Sequence, residues 1–208
     1  DTSSKKIDSG ETPMKYFDVP KPYIVYTGDV EKPVDCKVAT GLVEWTDYCV
    51  AQLVDTDKAF RFDNLPVINT TEPFWSVGPP KRSTVVLAAF NLRKEFTYDD
   101  TAFVATLLGL GFNVLSCAHA RLSDNKSLVR IATENHVQIF DVRSLPVQYP
   151  VGNGLKRSGF RLLTVGHDAN CGKKYTSLTL HRKLLEAGVK STFRPTGQTG
   201  MLINDFEC

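Results

Sequence analysis

One segment of this 208-residue chain restricts its fold more than any other: an apolar run, a glycine loop ending in Gly-Lys, and a helix-like stretch, in direct succession. Phe160-Arg161-Leu162-Leu163-Thr164-Val165 has the length and apolar content of a buried strand. The loop Gly166-His167-Asp168-Ala169-Asn170-Cys171-Gly172-Lys173-Lys174 follows at once. Lys174 to Ala187 then reads as a helix with Leu178, Leu180, Leu184 and Leu185 close to one face. Strand, glycine loop and helix is the setting that separates a phosphate loop from a chance glycine pattern. Amides at the helix start point at the anion, and the helix dipole favours negative charge there. Lys173 adds a point charge against the terminal phosphates. Gly166, His167, Asp168, Asn170, Gly172, Lys173, Lys174 and Thr176 are therefore the candidate phosphate- or nucleotide-binding residues. The loop departs from the standard motif in two ways. Five residues, not four, separate Gly166 from Gly172, and Lys174 stands where Ser or Thr is usual. Thr176 and Ser177 offer hydroxyls a little further on. The plain alternative is a tight strand-to-helix turn with an incidental lysine.

The rest of the chain reads as alternating strands and helices. Strand candidates are Tyr23 to Tyr26, Val50 to Val54, Val85 to Ala89, Phe112 to Cys117 and Val137 to Phe140. Thr97 is placed to cap a helix over 98–110, with Asp100 as its capping-box partner and Gly111 at its end. Ser123 is expected to cap a second helix running to Asn135. Gly109-Leu110-Gly111 falls at a helix end, so it is a cap and not a dinucleotide fingerprint. This order predicts an α/β fold with a parallel sheet. Residues 1–21 are polar without apolar periodicity and read as a flexible leader. The Pro- and Gly-rich stretch 146–158 is the best boundary between a domain over 22–145 and a second α/β unit beginning at 159. That unit continues from the loop helix through Gly188 to a strand at Val189 to Phe193.

Composition narrows the function classes. A net charge of +2 argues for neither nucleic acid nor a membrane surface as partner. No apolar stretch approaches the ~20 residues a membrane-spanning helix requires. The five cysteines are odd in number and scattered, with no zinc spacing, so no metal ligands are assigned. Reduced thiols in a cytoplasmic protein are the simplest reading. The expected partner is a small-molecule substrate, and a homo-oligomer is compatible with the sequence.

A second cluster, Arg194-Pro195-Thr196-Gly197-Gln198-Thr199-Gly200, follows the strand at 189–193. It falls at the carboxyl end of a parallel strand, where open α/β sheets bind ligands. Thr196, Gln198 and Thr199 are candidate donors to phosphate oxygens or metal-bound water; a plain glycine-rich turn is the alternative. In the first domain, His119 and Arg121 follow the strand 112–117 at the same edge. Arg121 has the planar fork that grips a carboxylate, and His119 titrates where a general base is useful. Each also has an ordinary reading: His119 bonding loop backbone, Arg121 pairing with Asp124 or Asp141.

Leu163 to Asp168, Gly172-Lys173, and Phe193 to Gly200 together closely resemble a bacterial family whose members have been assigned as D-glutamate N-acetyltransferases. The resemblance extends back through Phe140 to Arg143, His119 with Arg121-Leu122, Trp45 and Tyr23 to Asp29, covering nearly everything from Pro22 to Ile203. It implies a Rossmann-like N-terminal domain followed by a P-loop NTPase-like domain, with a loop spacing similar to that of dethiobiotin synthetase. It also implies acetylation of the amino group of D-glutamate from acetyl-CoA, the loop holding the donor phosphates. Family members usually carry Met where this chain has Lys174. They also continue well beyond Gly200, so the resemblance implies that the second domain, 159–208, is incomplete and that the chain is a fragment. The loop alone does not distinguish the diphosphate of coenzyme A from a nucleoside triphosphate with Mg2+. An ATP-dependent kinase or ligase, or a non-catalytic nucleotide-binding module, therefore stands beside the acyltransferase reading.

Overall fold

The structure is a computed structural model that describes residues 16–70, 82–90, 93–144, 151, 153–155, 159–168 and 171–207. Runs rich in β-branched and aromatic residues form six strands: β1 (Tyr23–Gly28), β2 (Cys49–Val54), β3 (Val67–Asn69), β4 (Thr84–Leu87), β5 (Asn113–Ser116) and β6 (Ile139–Asp141). All pair in parallel, in the order β3-β2-β1-β4-β5-β6. That order reverses between β1 and β4, the arrangement of a Rossmann-like doubly wound sheet. Side-chain alternation sorts the core into two layers. Ile24, Tyr26, Val85, Leu87 and Val114 point to one face, where α2 (Tyr98–Gly109) and α3 (Lys126–Glu134) bring Val104, Leu108 and Leu128. Tyr23, Val25, Val86 and Leu115 point to the other, against Val38, Ala39 and Leu42 of α1 (Lys37–Trp45).

The helix boundaries follow from local chemistry. Thr97 Oγ1 accepts from the Asp100 amide at 3.1 Å, while Asp100 accepts from the Thr97 amide at 2.9 Å, completing the expected capping box. Gly111 follows α2 with φ of +87°, a conformation open to glycine at no cost. The expected cap of the next helix is corrected. Asn125, not Ser123, caps α3, its Oδ1 accepting from Ser127 and Leu128 at 3.0 and 3.3 Å. Ser123 lies one turn earlier in a short 3-10 segment, 122–124, whose leading amides donate to Asp141 instead.

The carboxyl-terminal part holds the largest departures. α4 (Lys173–Glu186) forms as expected and ends at Gly188, φ +75°. The strands expected at 160–165 and 189–193 do not form ladders. Phe160, Leu162, Leu163 and Val165 are exposed, Leu163 by 79%. A parallel strand is held by hydrogen-bonded neighbours and covered faces, and among the described residues neither segment has a strand beside it. A short helix not foreseen from sequence, α5 (Gln198–Ile203), crosses back onto the first sheet. There Met201, Leu202 and Phe206 are buried in the same layer as α1.

The expected leader is only partly within view, since residues 1–15 lie outside the described set. Residues 16–21 are not loose: Phe17 packs edge-on against Phe140 and Phe206, Val19 is buried, and Lys21 pairs with Asp205 at 2.8 Å. Most of the expected linker, 146–158, lies outside the described residues; among them, Val151 and residues 153–155 are exposed.

Candidate functional site

The glycine loop is shaped by two positions that exclude a side chain for different reasons. At Gly166 a Cβ would fall on the Sγ of Cys171, so only glycine lets the loop close. Gly172 carries φ of +88° and caps the amino end of α4 in the left-handed region, where a Cβ costs conformational energy. Lys173 is thus the first residue of α4. Its ammonium folds back over the loop, donating to the Asp168 carbonyl and lying 3.4 Å from Cys171 Sγ. Amides in the first turn of a helix have no helical carbonyl to bond, and Lys173 opens that turn. Asn170 lies outside the described residues; His167 and Asp168 are exposed on the loop.

The loop is tied to its helix through Thr164. Its hydroxyl donates to the Lys173 carbonyl at 3.1 Å and lies 2.6 Å from Ser177 Oγ, which itself bonds the same carbonyl. Thr176 donates to Gly172 O at 3.1 Å, so both hydroxyls after the loop are engaged with the helix backbone. The Cys171 thiol is held below the ordinary thiol range, first by its contact with the Asp168 backbone and then by Lys173. Burial pushes the other thiols up, Cys36 to about 11 and Cys49 and Cys117 to about 12.

Lys174 does not point to open solvent. It is half-buried, with Nζ 4.3 Å from the centre of the Tyr175 ring and beside the bare face of Gly41 on α1. Burial lowers it to about 8, helped by Lys37 and opposed by Glu44. Tyr175 stacks on Trp45, whose other neighbour is the Arg182 guanidinium at 4.3 Å. The second glycine cluster reaches the same place. Thr199 is buried against Gly41, where its Cγ2 would sit 2.9 Å from an added Cβ. Gly200 packs on Pro195, Gln198 is half-buried, and Thr196 is exposed. Lys174 and Thr199 converging on Gly41 is the point where the two glycine clusters meet.

His119 and Arg121 follow β5 and are both exposed. The His119 amide donates to Arg93 O at 2.8 Å; Arg121 lies 3.6 Å from Asp124. Asp141 is spent on the amides of Leu122 and Ser123, and Arg143 on the Cys117 carbonyl at 2.8 Å. Sequence reasoning missed Tyr175 and its stack on Trp45, whose association appears only once α1 and α4 are adjacent. It also missed Asp55, at the end of β2, which accepts from Tyr26 Oη at 2.6 Å and Thr70 Oγ1 at 2.7 Å. Burial first, then that carboxylate, raises Tyr26 above the usual phenol range. An acidic residue closing an apolar strand was the available signal. Among the described residues no helix is long and apolar enough to cross a membrane, and no three His, Cys, Asp or Glu gather to hold a metal.

Residues 55–145 match the Rossmann-like N-terminal domain of DUF1611, and residues 150–207 match the DUF1611 P-loop domain, both described as domains of unknown function. A protein of Tritonibacter scottomollicae named D-glutamate N-acetyltransferase is 33% identical over 183 residues, 88% of this chain and 54% of the relative. A Pseudoalteromonas protein of the same name is 29% identical over 184 residues, with the same coverage of 88% and 54%. The chain thus spans about half the length of the curated relatives it matches. The crystal structure of a DUF1611 family protein from Anabaena variabilis superposes with a TM-score of 0.69 at 23% identity, over 88% of this chain and 55% of the other, which supports the fold.

Proposed function

The chain belongs to the DUF1611 family, and from that premise we propose that its Lys173 loop holds the phosphates of acetyl-CoA in an enzyme that acetylates the amino group of D-glutamate. The observation that carries the reading is the position of Lys173. As the first residue of α4, it folds its ammonium back over the loop onto the Asp168 carbonyl. A phosphate fits such a place because main-chain donors, the helix dipole and one cation act together. Gly166 adds to the fit, since the absence of a Cβ lets the chain turn tightly under the anion. When bound, acetyl-CoA supplies a thioester carbonyl open to attack by an amine. The chain's own task is to hold and orient the donor, while a base accepts the ammonium proton of the substrate. His119 and Arg121 remain the candidates for that base and for a carboxylate clamp, both accessible at the carboxyl edge of β5. The names of the two curated relatives support the choice of D-glutamate as substrate and of an acetyl group as what is transferred.

Calorimetric titration with acetyl-CoA, ATP and GTP tests the reading. Acetyl-CoA binding is expected, weakened about tenfold or more in Lys173→Ala, because a charge-assisted contact to phosphate is removed. D-glutamate-dependent release of the coenzyme A thiol would extend it to the reaction. Tight Mg-ATP binding without acetyl-CoA binding would overturn it in favour of an ATP-dependent enzyme.

A further inference from the structure

We propose that Lys174 is a nucleophilic lysine, a modification site at which a thioester acylates Nζ on the helix that carries the phosphate loop. Its placement differs from that of the chain's paired lysines. Lys21 pairs with Asp205, Lys183 with Glu186, and Lys173 donates to the Asp168 carbonyl. Lys174, the second residue of α4, is half-buried, yet among the described residues it makes no salt bridge and no hydrogen bond. Its Nζ lies 4.3 Å from the centre of the Tyr175 ring and would stand 3.4 Å from a Cβ added to Gly41 of α1. An aromatic face and a bare glycine thus take the place of the oxygen atoms that usually surround an ammonium.

A lysine becomes a nucleophile where water is withdrawn from its ammonium, because the free amine is then the less costly form. The groups around Lys174 come from three elements. α1 presents Lys37 and Glu44, α4 itself has Lys173 and Tyr175, and α5 brings Thr199 and Ile203 to Gly41, neither of which titrates. Burial first, then Lys37, lowers Lys174 to about 8, with Glu44 opposing. The lone pair of the free amine attacks the carbonyl carbon of the thioester, and a C–N bond forms as the C–S bond breaks. The nitrogen gives its surplus proton to solvent, and the departing thiolate takes one up. The products are a thiol and an uncharged amide, so one positive charge is lost from the helix start. The proposal rests on the reading above only for the class of donor, since acetyl-CoA is a thioester.

The rate follows from two opposed effects. A fall from 10.5 to about 8 raises the free-amine fraction near neutral pH about 300-fold. A weaker base is also a weaker nucleophile, by about tenfold on the slope known for thiols. Half-burial takes back part of the remainder, which leaves a net gain of about tenfold over an exposed lysine. The test incubates the chain with S-acetyl-N-acetylcysteamine, a small thioester without phosphates, and reads initial acetylation rates at single lysines by fragment mass spectrometry. Near neutral pH, Lys174 is expected to react about tenfold faster than Lys58 and Lys190, which are exposed. Its rate should level off once pH passes about 8. In concentrated urea the advantage over Lys58 should disappear, because the folded surroundings create it. A Lys174 no faster than Lys58 and Lys190, a rate still climbing steeply well above that pH, or an advantage that survives in urea would each overturn the proposal. The probe carries no phosphate, so these outcomes are independent of the loop, whose reading stands or falls by the acetyl-CoA titration.

Discussion

A methyl group on Gly166 would occupy the space of the Cys171 sulfur, and that single conflict makes a clean test of how the loop is held. Gly166→Ala is expected to weaken anion binding by about tenfold or more, since overpacked positions shift the backbone around them. Adding Cys171→Ala removes the sulfur and should restore much of the loss, measurable by the same titrations. Lys174 poses the opposite problem, a charge with too little compensation. Its proton affinity is lowered in the folded chain, to about 8 from a lysine's usual 10.5. Between those values the unfolded chain binds more protons, so the stability of the native state rises with pH across that window. Below it the group is charged in both states and the native chain bears the full cost. Lys174→Met should therefore stabilise at pH 7 by about 1 kcal/mol, a figure reduced because the ammonium keeps part of its water. The gain should fade as pH rises from about 8 toward 10.5, when urea unfolding of variant and parent is compared. A gain that does not change with pH would show that packing alone is responsible.

Elements were legible where a local chemical signal marks a boundary. Thr97 with Asp100 and then Gly111 bracket α2, because each satisfies end groups that the helix itself leaves open. α3 shows how such a signal misleads. Ser123 and Asn125 are both good caps by type, two residues apart, and the choice depends on Asp141 accepting the amides of 122 and 123. Asn125→Ala is accordingly expected to cost about 1 kcal/mol of stability, and Ser123→Ala much less, in thermal or urea melts. Equal costs would return the cap to Ser123. α1 was not foreseen because Val38, Thr40, Gly41 and Val43 lower its intrinsic helix preference. Burial of Val38, Ala39 and Leu42 under the sheet supplies what local preference lacks. The run 160–165 fails in the other direction: its apolar pattern is that of a strand, but a strand exists only through neighbours.

At the scale of the whole molecule, the six-stranded parallel sheet organises everything else, and α5 is the element that joins the end of the chain to it. Leu202 is fully buried beside Val38 and Leu42 in the α1 layer, far from where a sequence reading would put it. Leu202→Ala should cost about 2–5 kcal/mol, the usual range for a cavity left in a packed core. A cost below ~1 kcal/mol, typical of surface positions, would mean that α5 is not part of the core. The sequence by itself determined the succession of β1, β2, β4, β5 and β6, the α2 cap and the loop with Lys173 at its helix start. Those depend on residues close together in the chain, and periodicity and end-group chemistry are local. Only the tertiary structure decided that Lys174 turns to Gly41 on α1, that Thr199 meets the same glycine, and that 160–165 stays bare. Each of these depends on which distant surface is available to pack against, and a residue's type does not carry that information.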